Sequence, residues 1–229
     1  NHLTKDMVFA VPVSMTTGLA SYYKNIGELS NKGFEASINA KIINTEDWTW
    51  SVGVTGSLNK NEVKKLSTDN PIEGSIQITE VGYPIYQYKM KEYAGVDPET
   101  GAALWYKGTE GKETTTNYNE AGKRYLGDPH PDLAGSINTS LRWKNLDFAI
   151  QLNYSMGAKI YGSNLRYDEQ IGGSFYENFT NYIYENRWQK PGDVALYKSI
   201  ADKSYTRPTS RFVEDNNTLT LSSVNLYYD

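Results

Sequence analysis

From Gly33 to Leu58 the chain reads as two interleaved sequences. Phe34, Ala36, Ile38, Ala40 and Ile42 are apolar, while Glu35, Ser37, Asn39 and Lys41 between them are polar. After Asn44-Thr-Glu-Asp47 the alternation restarts, with Trp48, Trp50, Val52, Val54 and Leu58 on one face and Thr49, Ser51, Thr55 and Ser57 on the other. A period of two predicts strand, turn, strand, each strand with one apolar face. The signature recurs from Leu133 to Met156. Leu133, Ile137, Leu141 and Trp143 share a face with Gly135 and Thr139; Lys144-Asn145 turns the chain, and Leu146, Phe148, Ile150, Leu152, Tyr154 and Met156 alternate after it. Thr218–Tyr228 is a fifth strand whose alternation slips at Ser222-Ser223, and Asp6–Val13 a partial one that Pro12 assigns to an end or edge.

The four clear strands run about eleven residues each, where soluble strands average about five or six and tilted membrane strands need about nine to eleven. Two joins are minimal, whereas Lys60–Pro131 and Gly157–Asn217 are very long. Short turns alternating with long loops are the topology of an outer-membrane barrel, and a compact soluble domain seldom carries such loops. Ser, Thr, Asn and Gln on the polar faces suit a wet lumen. Trp48, Trp50 and Trp143 beside the turns, with Tyr154 and Tyr161 at the far end, suit interfacial girdles. The fold expected is all-β: an antiparallel transmembrane β-barrel portion, incomplete in this chain because five or six strands leave two bare edges. The alternative is a soluble or surface-anchored β-sandwich that binds glycans.

Composition narrows the function classes. The 229 residues carry a net charge of −4, 13% aromatics with 19 Tyr, and no Cys. Mean hydropathy is −0.62, and there is no run of about 18 apolar residues, which excludes a transmembrane helix but not a membrane barrel. Nothing favours nucleic acid, and no thiolate chemistry or Cys-ligated metal is available. His2 and His130 are the only histidines, the latter in Asp128-Pro-His-Pro131, and neither has triad surroundings. Asp168-Glu169 is an acid pair expected to be solvated. The Asp97 turn and Asp215-Asn216-Asn217 lack the spacing of a calcium loop. No enzyme activity, cofactor or metal is expected.

Within the long connections, Asp97-Pro-Glu-Thr-Gly101 is a turn sequence between short β segments. Phe175, Phe179 and Tyr182-Ile183 predict a short amphipathic helix ended by Pro191-Gly192. Tyr83, Tyr86, Tyr88, Trp105, Tyr106, Tyr176 and Trp188 offer flat faces with polar tips, suited to stacking on sugars or packing on peptide, and are the substrate-contact candidates.

Five stretches in order, NIGELSNKGFEASI (25–38), YAGVDPETGAALWY (93–106), LGDPHPDLAGSI (126–137), ENRWQKPGD (185–193) and SRFVEDNNTLTLSSVNLYY (210–228), resemble the SusC/RagA-type TonB-dependent outer-membrane transporters of Bacteroidetes. The resemblance covers almost the whole chain. It implies that residues 1–229 are the C-terminal portion of a 22-stranded, plugged barrel, with extracellular loops about 60–131 and 157–217. It further implies residence among outer-membrane lipid, a SusD-like surface lipoprotein as lid, energy from TonB, and an oligosaccharide or peptide as cargo. The plug, the TonB-contacting segment and a closing hairpin are expected to lie outside these residues.

Overall fold

The computed structural model describes residues 2–12, 16, 18, 21–66, 70–171, 180–202 and 205–229. Three long strands come first, β1 (His2–Pro12), β2 (Ser21–Asn44) and β3 (Trp48–Leu66). Seven short ones follow: β4 (Ile72–Glu73), β5 (Gln77–Thr79), β6 (Gln87–Lys91), β7 (Tyr93–Val96), β8 (Ala103–Tyr106), β9 (Thr114–Thr115) and β10 (Lys123–Tyr125). The hairpin β11 (Leu133–Trp143) and β12 (Leu146–Met156) precedes β13 (Lys159–Tyr161), α1 (Ser163–Ile171), α2 (Asn181–Glu185), β14 (Val213–Asp215) and β15 (Thr218–Tyr228).

One six-stranded antiparallel meander, ordered β1-β2-β3-β11-β12-β15, forms a wall. Its register turns the sequence alternation into continuous rows. Ile38, Val54, Ile137, Leu152 and Leu221 lie side by side across five strands, as do Ala40, Val52, Thr139, Ile150 and Val224. Phe34, Leu58, Leu133 and Met156 make the upper apolar row; Trp48, Trp143, Leu146 and Tyr228 make the lowest. The opposite face carries Ser37, Thr55, Ser136, Asn153 and Thr220 in register.

No second sheet covers the apolar rows among the described residues: Phe34 is 68% and Ile38 69% exposed to the surroundings. A sandwich would have buried them, so the sandwich alternative fails. From the Trp48 row to the Leu58 row is ten residues of β3, about 34 Å along a strand. At the usual barrel tilt this makes an apolar band about 26 Å tall, close to the height of the apolar belt on an outer-membrane barrel.

Thr139 and the Gly56–Gly135 pair interrupt this face, and each is accounted for. Thr139 accepts the indole N–H of Trp50 at 2.9 Å, so that donor is not left bare in hydrocarbon. Gly135 pairs with Gly56, and the ring of Tyr154 lies across both, its hydroxyl donating to the carbonyl of Thr55 at 2.8 Å. A methyl at Gly135 would meet the Tyr154 hydroxyl at 2.6 Å and the Thr55 carbonyl closer still. Gly135→Ala should therefore lower wall stability by about 1–3 kcal/mol, read as an earlier urea midpoint of the lipid-embedded barrel. An unchanged midpoint would show that the β3 backbone at Thr55 and the Tyr154 ring both give way at no cost.

The short turns lie together at one end. Trp48 stacks on Trp143 with ring centres 5.5 Å apart, and the Lys144 amide donates to the Asp47 carbonyl at 2.8 Å. Lys144 adopts φ 52° in its two-residue turn, a conformation glycine would accept more readily. At Ser222 the register of β15 against β12 slips by one residue, the bulge expected from the broken alternation. β1 is an edge strand that ends on Pro12.

Two strands exceed their expected length. β2 has 24 residues and β3 has 19, against the eleven expected, because Ser21–Lys32 and Asn59–Leu66 keep pairing beyond the apolar band. There the first long connection returns onto the wall. The Ile85 amide donates to Asn61 Oδ1 at 2.9 Å and the Val63 amide to the Tyr83 carbonyl at 2.9 Å. Leu29, Val63, Leu66 and Ile85 close into a small core with Met7 and Ile72 beside it. The wall thus changes from apolar and bare to protein-covered just above the Leu58 row.

Candidate functional site

Above the wall the two long connections build one platform. β4, β5, β6 and β10 form a four-stranded sheet, and β7, β8 and β9 a three-stranded one. The Asp97–Gly101 turn joins β7 to β8 as expected: the Gly101 amide donates to the Asp97 carbonyl at 2.8 Å, with Gly101 at φ 71°. The second connection docks on that turn. The Trp188 ring packs so closely on Gly101 that a methyl there would come within 2.5 Å of it, and its indole N–H donates to the Pro98 carbonyl at 2.8 Å.

The candidate aromatics fall into different surroundings. Tyr83 and Tyr86 are exposed, and Tyr83 stacks on Tyr125 with centres 4.4 Å apart. The Tyr125 hydroxyl donates to Glu80 at 2.6 Å and accepts from Lys89 at 2.9 Å, which fixes the stack. Tyr88 is buried in β6. Trp105 is half-buried and meets the edge of Tyr118 at 5.3 Å, and Tyr106 sits 4.9 Å from the Arg124 guanidinium. Trp188 braces the loops as described. Tyr176 lies outside the described residues, as do Phe175 and Phe179 of the expected helix. Of that helix the structure shows α2, capped by Thr180 and anchored by the fully buried Ile183. Tyr161, expected in a girdle, instead leaves the wall in β13 and meets Phe212 edge-on at 6.2 Å.

A buried charged cluster went unrecognised in the sequence. Glu169, expected to be solvated, is buried in α1 and ion-paired with Arg211. Arg187 donates to the Glu169 carbonyl at 3.0 Å and to the Lys198 carbonyl at 3.2 Å, while Lys198 faces Asp202 at 3.4 Å. Arg211 also lies 4.2 Å from the Tyr93 ring and 4.7 Å from that of Phe212. Burial raises the Glu169 carboxyl above its ordinary range, against the pull of Arg211, Lys198 and Arg187. Burial likewise lowers the Lys198 ammonium.

Tyr93 donates to the Leu196 carbonyl at 3.0 Å, and burial pushes its phenol up to about 12 despite Arg211 beside it. Below the ordinary phenol value of about 10 it is neutral in folded and unfolded chains alike. Between about pH 10 and 12 only the unfolded chain ionises, so the platform loses stability as pH rises through that window. Near-ultraviolet circular dichroism of the full-length protein should report this loss, flattened in Tyr93→Phe. An identical pH profile in that variant would place the sensitivity elsewhere.

Three other polar sites singled out in the sequence have structural partners. His130 faces Asp128 at 2.9 Å, Asp215 pairs with Lys159, and Asn217 accepts the Gly157 amide at 2.9 Å. Among the described residues no three His, Asp or Glu side chains gather as metal ligands would.

No family model matches the chain. It is 29% identical over 250 residues to TonB-dependent receptor P3 of Formosa agariphila, a match that covers 99% of this chain and 24% of that protein. To TonB-dependent receptor SusC of Bacteroides thetaiotaomicron it is 29% identical over 202 residues, covering 80% of this chain and 19% of the other. The solved RagAB peptide transporter superposes with a TM-score of 0.86 at 25% identity, over 99% of this chain and 26% of that one. The same importer in its open-open state gives 0.81. The chain thus spans about a quarter of the length of the first of these relatives, which are named as receptors and transporters rather than enzymes. In sequence and in fold it is a relative of the SusC/RagA-type TonB-dependent transporters, and its six strands are a stretch of outer-membrane barrel wall.

Proposed function

We propose that residues 1–229 are the C-terminal portion of a transporter barrel that imports a nutrient, an oligosaccharide or a peptide, together with a SusD-like surface lipoprotein and with energy from TonB. The supporting observation is a wall with an apolar band on one face, polar rows on the other, and a braced platform of loops at one end only. Short turns on an outer-membrane barrel face the periplasm, which supports an extracellular position for the platform. Loops about 60–131 and 157–217 then meet cargo and lid.

Within the platform, Tyr83 and Tyr86 present open aromatic faces and are the first contacts proposed for cargo or lid. Trp105, Tyr106, Tyr88 and Trp188 shape the surface behind them, and Tyr176 remains a proposed contact. The chain is assigned no catalytic step. Uptake of fluorescent oligosaccharides and peptides by cells carrying the full-length protein tests the reading. One class should enter, and entry should stop when TonB or the lipoprotein is deleted. Entry independent of TonB would overturn it.

A further inference from the structure

Where the two connections meet, a cleft of ≈ 550 Å³ opens, lined among others by Ser75, Gln77, Tyr88, Tyr161, Arg166 and Tyr205. Arg166 is held at one edge. Its Nη1 donates to the Tyr205 hydroxyl at 2.5 Å and to the Thr206 carbonyl at 3.4 Å, and the guanidinium lies 4.5 Å from the Tyr167 ring. The Nε–Nη2 edge makes no hydrogen bond with the described residues, and none of their carboxylates lies within salt-bridge distance of Arg166. That edge is the side-on fork that grips a planar carboxylate with two parallel bonds.

Two further observations point the same way. The Tyr161 hydroxyl is buried and unpartnered among the described residues, a donor that burial would normally see satisfied. Two cations beyond the lining have no carboxylate partner among the described residues, though Lys91 donates to the Tyr118 carbonyl. Arg207 sits 5.7 Å from the Tyr205 ring and 5.4 Å from that of Tyr118, and Lys91 is 4.0 Å from the same Tyr118 ring. Burial lowers the Lys91 ammonium, and Lys123 and Arg207 lower it further. In a chain of net charge −4, a cationic cleft lined by no acid among the described residues is a preorganised place for an anion.

We propose that this cleft binds a carboxylate of the imported molecule, with Arg166 as its fork and the Tyr161 hydroxyl as a second donor. Tyr88 and Tyr205 form the walls for the attached residue. The proposal rests on the transporter reading above. A peptide C-terminus and a uronate ring supply the same group, and the test separates them.

Calorimetry on the full-length protein with its lipoprotein partner would compare tetra-alanine with its C-terminal amide, and tetragalacturonate with its methyl ester. One free acid should bind about 10- to 100-fold tighter than its neutral counterpart, the range of a charge-assisted hydrogen bond. Arg166→Gln should abolish that preference, weakening the free acid far more than its neutral counterpart. Tyr161→Phe, which removes only an oxygen, should weaken it several-fold. Equal affinity for acid and neutral forms in the wild type, no binding of either acid, or an undiminished preference in Arg166→Gln would each overturn the proposal. TonB-dependent uptake that persists in Arg166→Gln cells with neutral cargo would then leave the transporter reading standing, whereas uptake without TonB would remove that reading itself.

Discussion

Lysine in place of Ile38 or Val54 will cost the folded wall about 2–4 kcal/mol each, the penalty of a charge near the midplane of a membrane barrel. Both residues lie in the central apolar row, level with Ile137, Leu152 and Leu221. Lysine at Asn39 or Asn138, one residue away on the other face, will cost far less. Those positions border a concavity of ≈ 490 Å³ whose lining already includes Lys41, Ser51 and Gln151. The readout is the folded fraction of the full-length barrel in lipid across a urea series, where folded and unfolded forms migrate differently on gels. Equal tolerance of lysine on both faces would contradict the assignment of lipid to the even-numbered face of β2.

The second large effect concerns the platform. Arg211→Met should destabilise it by about 3–5 kcal/mol, because it leaves the Glu169 carboxylate buried without its partner. Glu169→Gln combined with Arg211→Met should recover much of that loss, since neither side chain then carries an uncompensated charge. Native-state hydrogen exchange over 181–202 would measure both variants. If the double variant exchanges as fast as Arg211→Met alone, the guanidinium matters through its packing on Tyr93 and Phe212 rather than through charge.

These two predictions differ in how far the sequence announces them. The wall was legible because lipid on one side and water on the other impose a strict two-residue contrast, and even the bulge at Ser222 showed as a break in it. Past Leu58 the contrast fades. Asn59, Lys60, Asn61 and Glu62 follow one another, and the strand continues only because a distant segment around Ile85 returns to cover it. The packing of the Tyr154 ring across Gly135 leaves no local trace either, being fixed by register.

The platform was less legible for the same reason. Glu169 finds Arg211 42 residues later, and Trp188 finds Pro98 90 residues earlier. Neither partner leaves a periodic trace. The end of the alternation marked the two long connections, and the spread of Tyr and Trp within them is what nominated the contact candidates. Which of those rings brace and which stand open depends on tertiary contacts that spacing does not encode.

The extension of β2 and β3 beyond the apolar band has a mechanical consequence. The first connection is hydrogen-bonded to β3 at Asn61 and Val63 and packs on Leu29 of β2, so a pull on the platform along the strand direction runs straight into the wall. Such a force shears many ladder hydrogen bonds at once instead of unzipping them singly. The base of the platform therefore behaves as a stiff post rooted in the wall.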